Sequence, residues 1–302
     1  MKYADDRPYN QTQYLQRRDI MQVQKLLVIV LILNLLLLLL SSCSKKTTEP
    51  GEPAQNFVLV RGGTFYNGTN DVTISSFYLD KHELTQADYE AVMGTNPATT
   101  EYGIGSDHPV YYVSWFNAIE YCNRRSLQEG LTPCYGYSDA GNDPDSWPGD
   151  WDMDWANHSK VSCNWAARGY RLPTNMEWMF AAKGGTKTQD YSYSGSNDID
   201  LVAWYSENDD PRGPKSVGTK ASNELGLYDM TGNVWEWVWD ISDFKAGDAQ
   251  DNPHGADSGS DRVFRGGSWD TYYEYCRISY WARDSPDLEE NDIGFRVARI
   301  AP

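Results

Sequence analysis

The most ordered pattern of apolar and polar positions lies at residues 223–240, NELGLYDMTGNVWEWVWD. From Val234 onward it alternates strictly. Trp235, Trp237 and Trp239 fall on one face of an extended strand, and Val234, Glu236, Val238 and Asp240 on the other. Three tryptophans on one face bury too much apolar area to be left in water, so that face is expected in the core. The opposite face carries Glu236, three residues after Asn233 at a glycine turn. An asparagine oxygen, a main-chain carbonyl and a carboxylate converging at a turn suit a hard cation such as Ca2+. The alternative is that Asn233 caps the turn and Glu236 is a solvated strand residue.

Elsewhere the pattern is mixed α and β with long loops. Phe57–Val60 and residues 73–79 read as short strands around a turn at Gly62 and Gly63. Thr85 is placed to cap a helix ending at Gly94. Ser114 is placed to cap a second helix running to about Gln128, whose apolar face holds Trp115, Ile119 and Cys122. Thr174 with Glu177 three residues on forms a capping box for a third helix, entered through Pro173. Beyond about residue 186 loops and short strands are expected, and no internal repeat is visible.

Between the second and third helices, residues 138–159 interleave six aspartates with Trp147, Trp151 and Trp155. DWDMDW resembles the start of a calcium loop but lacks the glycine and closing glutamate. It reads as a solvated acidic loop anchored by its tryptophans. Cys134 and Cys163 bracket it. Oxidised, they would close a loop of about 29 residues and contribute roughly 3 kcal/mol; the alternative is two buried thiols.

The N-terminus changes the setting. Lys25 precedes an apolar run at residues 26–40, broken only by Asn34, and Leu-Ser-Ser-Cys follows at residues 40–43. This reads as a bacterial lipoprotein signal, with Cys43 as the lipidated first residue of the mature protein. The run is short for a spanning helix, which needs about 20 apolar residues. Residues 1–20 are polar, so Met21 is a candidate start. Residues 1–42 are thus a signal segment, 43–55 a flexible tether and 56–302 one domain. A lipid-anchored protein of the bacterial cell envelope, in an oxidising compartment, is the expectation. The formal charge is −17; the first 43 residues hold five basic and three acidic side chains, so the remainder carries −19. So acidic a surface excludes nucleic acid as a partner.

Seven stretches in order carry a family resemblance: FVLVRGGTFYNGT at 57–69, LDKHELTQADYEAVMG at 79–94, HPVYYVSWFNAIEYC at 108–122, RLPTNMEWMFAAKGG at 171–185, GLYDMTGNVWEW at 226–237, FRGGSW at 264–269 and IGFRVAR at 293–299. They resemble the formylglycine-generating-enzyme (sulfatase-modifying factor) family. The resemblance implies an α+β fold, an elaborated C-type-lectin-like module with few short helices and strands. It also implies an O2- and Cu(I)-dependent oxidation of a substrate cysteine, with copper held by two thiolates five residues apart after the GGS turn. Here Cys276 falls on the second ligand and Thr271 on the first. Soft Cu(I) wants two sulfurs, and a hydroxyl is a poor substitute. Ser268 and Tyr275 match groove-lining positions, with Arg283 in the same segment. Asn233, the Val234 carbonyl and Glu236 match one calcium site, whereas the second site's leading asparagine is replaced by Ala203. The four histidines are too scattered for the family's iron chemistry.

The expected function is therefore a non-catalytic binding or scaffolding module whose partner is an envelope protein, a peptide or a glycan. The alternative is a formylglycine-generating oxidase, in which Cys276 is catalytic and copper the cofactor.

Overall fold

The computed structural model describes residues 56–242 and 251–301. The contact pattern separates residues 1–49 from 50–302, and only the second unit is described below. The signal segment and the whole tether, Cys43 included, lie outside the described residues.

The chain opens with strands β1 (Phe57–Val60), β2 (Gly63–Tyr66), β3 (Asp71–Ile74) and β4 (Phe77–Asp80). Residues 73–79, expected as one strand, are thus divided between two. Three helices begin where local capping chemistry places them. Helix α1 (Gln86–Met93) starts at Thr85, whose hydroxyl accepts from the Asp88 N–H, and stops at Gly94 in a left-handed conformation. Helix α2 (Trp115–Gln128) starts at a capping box of Ser114 and Asn117. Helix α3 (Asn175–Ala182) starts at the capping box of Thr174 and Glu177. A single turn, α4 (Ile199–Val202), follows.

Four strands then form the central sheet, in the order β10-β7-β8-β9: β7 (Trp235–Ile241), β8 (Arg262–Arg265), β9 (Trp281–Asp284) and β10 (Ile293–Phe295). Only β10 runs parallel to β7. The last strand, β11 (Ala298–Ile300), pairs with β4, so the C-terminus closes a three-stranded sheet with the N-terminal hairpin.

Strand β7 is buried on both faces. Trp237 lies in the larger core cluster against helix α2, and Val238 in the cluster around α3. The tryptophan face is core as expected, but the other face is not solvated: Glu236 and Asp240 are buried as well. Alternation signals a half-buried strand only when the polar residues face water, and here each has an internal partner. Asp240 accepts from the Asn175 N–H at 2.7 Å.

In the acidic excursion, Trp147 and Trp151 are buried edge-to-face with ring centroids 4.5 Å apart, whereas Trp155 is exposed. The loop is anchored by two of its three tryptophans. Its bracketing cysteines are free thiols. Cys134 directly precedes β5 (Tyr135–Tyr137) and Cys163 ends β6 (Val161–Cys163), a short ribbon in which Tyr135 faces Cys163. Cys134 is therefore one position out of register, opposite Asn164, whose N–H donates to the Cys134 carbonyl at 2.7 Å. An offset of one residue turns two side chains to opposite faces of a ribbon. In this structure the two thiols are separate and not joined as the expected disulfide.

Candidate functional site

Strand β8 ends at Arg265, and the turn that follows, opening with Gly266 and Gly267, delivers the residues expected to carry the chemistry. Gly266 and Gly267 both have positive φ, and a Cβ on Gly267 would come within 2.5 Å of the Cys276 sulfur. Glycine is required there, because only a bare backbone lets the 268–276 loop fold back over the strand end.

Within that loop the Ser268 hydroxyl donates to Asp292 Oδ2 at 2.7 Å. Thr271 Oγ1 donates to the Ser268 carbonyl at 3.0 Å and accepts from the Ser268 N–H at 2.9 Å. The same hydroxyl lies 3.6 Å from Cys276 Sγ. The two positions matched to copper ligands are thus side by side in space, and one of them is oxygen. Cys276 is itself fully buried, in a small apolar cluster with Tyr193, Val202, Ala203 and Tyr205. Burial pushes its thiol up to about 11, against weaker opposing hydrogen bonds from Thr271 and the Ser268 backbone. One sulfur beside a hydroxyl is not the two-sulfur pair that soft Cu(I) selects.

Tyr275 sits at the surface of this loop, 41% exposed, and stacks edge-on with Tyr280 at 5.0 Å. Arg283 is not part of the same cluster. It lies on β9, where Nη1 donates to Ser242 Oγ at 3.1 Å and Nε faces Asp261 at 3.6 Å. Ser242 follows the far end of β7, roughly 20 Å along the strand from its start. A cavity of about 170 Å³, lined by residues including Met176, Asp240, Ser242, Arg265 and Trp281, takes in none of Ser268, Thr271 or Cys276.

What the loop does present is aromatic surface. Tyr272 is 64% exposed, and Tyr273, Tyr280 and Trp281 are also exposed. Apolar residues scattered singly need no explanation, but five exposed aromatics within ten residues are an unusual concentration of apolar surface. Sequence reading singled out only Tyr275 from this group. The signal was the absence of any helical or strand period in DTYYEYCRISYWARD, which leaves most of its aromatics without a core face to occupy.

The residues matched to calcium do come together. Asn233 Oδ1 accepts from the Lys215 N–H at 2.8 Å, and its Nδ2 donates to Glu83 Oε2 at 2.5 Å. Glu236 accepts from Arg296 Nη2 and Nε, each at 2.7 Å, and from Trp178 Nε1 at 2.7 Å. Both carboxylate oxygens and the amide oxygen therefore already have protein donors. Arg296 and Glu236 are completely buried. Glu83, also buried, is pushed well above the usual carboxylate range by burial and then by Asp229 and Glu236. Glu83, Lys215 and Arg296 were missed from sequence because they stand at 150, 18 and 60 positions from their partners.

Comparison with known proteins agrees with this architecture. Residues 43–301 match the sulfatase-modifying factor enzyme 1-like domain. A protein named chaperone protein LppX, from Paenibacillus barcinonensis, is 37% identical over 268 residues, covering 82% of this chain and 90% of that protein. The formylglycine-generating enzyme of Bos taurus is 26% identical over 295 residues, covering 82% and 75%. Among solved structures, Treponema denticola variable protein 1 superposes with a TM-score of 0.70 at 33% identity, covering 81% of this chain and 94% of that one. With a family match over most of its length and the GGS turn, the capped helices and the central sheet all in place, the chain belongs to the sulfatase-modifying-factor family.

Proposed function

We propose that the chain is a lipid-anchored protein of the bacterial envelope whose domain binds a polypeptide partner and does not oxidise cysteine. The observation that carries this reading is the contact between the Thr271 hydroxyl and the buried Cys276 thiol, where the oxidase chemistry needs two sulfurs. The exposed aromatic run at 272–281 supports a binding role. Tyrosine and tryptophan supply large contact area at low entropic cost, and they are enriched at binding hot spots. The similarity to a protein named as a chaperone favours an extended or unfolded polypeptide as the occupant over a glycan.

Two experiments test this. The full-length protein, loaded with copper under air, is incubated with a peptide carrying a sulfatase-type cysteine motif. Mass spectrometry should show no aldehyde, and repeated turnover to formylglycine would establish the oxidase instead. Light scattering of a urea-diluted envelope protein should fall in the presence of the wild type. The variant Tyr272→Ser/Tyr275→Ser/Trp281→Ser should lose most of that effect. Equal suppression by the variant would remove the face from the proposal, and glycan-array binding abolished by the same substitutions would make the partner a glycan.

A further inference from the structure

The family resemblance implies a calcium ion on Asn233, the Val234 carbonyl and Glu236, and the donors present do not fit one. A divalent ion at the Glu236 carboxylate would displace a wholly buried guanidinium and lie beside its charge. A second cation-shaped site lies next to it and is filled by the protein. The carbonyls of Asp209, Pro211 and Gly213 converge on Lys215 Nζ, the first and last at 2.7 Å. Converging main-chain carbonyls are the donor type that hard cations select. An ammonium has three N–H donors, so three carbonyls saturate it. Asn233 joins the two sites, because it holds the Lys215 backbone from both sides: Oδ1 accepts from its N–H at 2.8 Å and Nδ2 donates to its carbonyl at 3.2 Å.

We propose that this domain supplies the positive charges of its calcium region from its own chain, Lys215 for the loop and Arg296 for the strand, and is independent of calcium. The consequence reaches the exposed face. The loop that Lys215 gathers is a wall of that face: Arg212 pairs with Asp270 at 3.0 Å and lies over the Trp269 ring at 5.2 Å. The Ser206 N–H donates to the Thr271 carbonyl at 3.1 Å. Gly213 packs so closely on the Tyr102 carbonyl that a Cβ would come within 2.1 Å of it. Lys215 is thus a positioning residue for the 204–215 wall. The inference stands whether or not that face binds a polypeptide.

The test uses the full-length protein in detergent micelles. After exposure to millimolar calcium and desalting, elemental analysis should find far less than one calcium per chain. The melting midpoint, followed by tryptophan fluorescence, should be the same in calcium and in excess chelator. About one retained equivalent, or a midpoint several degrees lower in chelator, overturns the proposal. Lys215→Met should lower the midpoint by the same amount in both solutions and speed tryptic cleavage after Arg212. An unchanged midpoint with unchanged cleavage would show that the lysine does not hold the loop. If that variant does not fold, the calcium content and chelator response of the wild type still decide the question.

Discussion

Replacing Arg296 by methionine should be among the most damaging single changes in this domain. The guanidinium holds Glu236 through two hydrogen bonds of 2.7 Å. It also donates to the carbonyls of Asp80, Tyr228 and Asp229, at 3.2, 2.9 and 3.2 Å. Methionine keeps the volume but leaves Glu236 with a single donor, Trp178 Nε1, in a region that also buries Glu83 and Asp229. Breaking a buried pair from one side costs about 3–5 kcal/mol, a large share of the 5–15 kcal/mol typical of a domain. At roughly 2–4 °C per kcal/mol for this size, the midpoint should fall by about 6–20 °C. Glu236→Gln should cost less, because Arg296 retains three carbonyl acceptors whereas the stranded carboxylate retains one N–H. The double variant should be more stable than Arg296→Met alone, since it removes the unpaired charge. Urea unfolding followed by tryptophan fluorescence and circular dichroism measures all three. A loss below about 1 kcal/mol for Arg296→Met, or simple additivity in the double variant, would refute the assignment of this pair as the brace between β7 and β10.

Three further outcomes are expected. Burial raises Asp80 and Asp240 to about 7 and Asp229 to about 6, so their folded values exceed their unfolded ones. The protonated folded state is therefore favoured at low pH, and stability should decline as pH rises from about 4 to about 7; a melting midpoint that climbs across that window would contradict this. Thr271→Cys should place two sulfurs at the GGS turn and raise Cu(I) affinity about tenfold or more in competition with a chromophoric chelator; no gain would show that burial, rather than the missing sulfur, blocks the metal. Mass spectrometry of membrane-extracted protein should show a diacylglyceryl cysteine at position 43, and Cys43→Ala should stop processing; normal cleavage of that variant would exclude a lipoprotein signal.

The helices were legible because their starts are local chemistry. Thr85, Ser114 and Thr174 each cap the backbone within three residues, so a short window of sequence contains the whole interaction. The motifs likewise placed Thr271 beside Cys276, since five residues and a GGS turn set that geometry. The fate of Glu236 was not legible. Its partner Arg296 directly follows β10, whose parallel pairing brings Gly294 level with Glu236, and no pattern within β7 announces that strand. The cysteines show a related limit at shorter range: bracketing a loop places Cys134 and Cys163 on neighbouring chain segments, but their one-residue offset in the ribbon is set by a pairing the sequence does not announce. The exposed tyrosines ran against the expectation that aromatic side chains are interior, which burial energy alone recommends.

Cys276 and Ile278 are buried while Tyr272, Tyr273, Glu274, Tyr275, Arg277 and Tyr280 point outward. With Gly267 beneath Cys276, the segment is pinned to the body at few points and free of it between them. Selection can therefore act on the outward positions almost independently of folding, because exposed substitutions usually change stability by no more than about 0.5 kcal/mol. A lineage carrying this loop can vary its outward side chains while inheriting the same frame, with the buried Cys276 as the peg that holds the segment down.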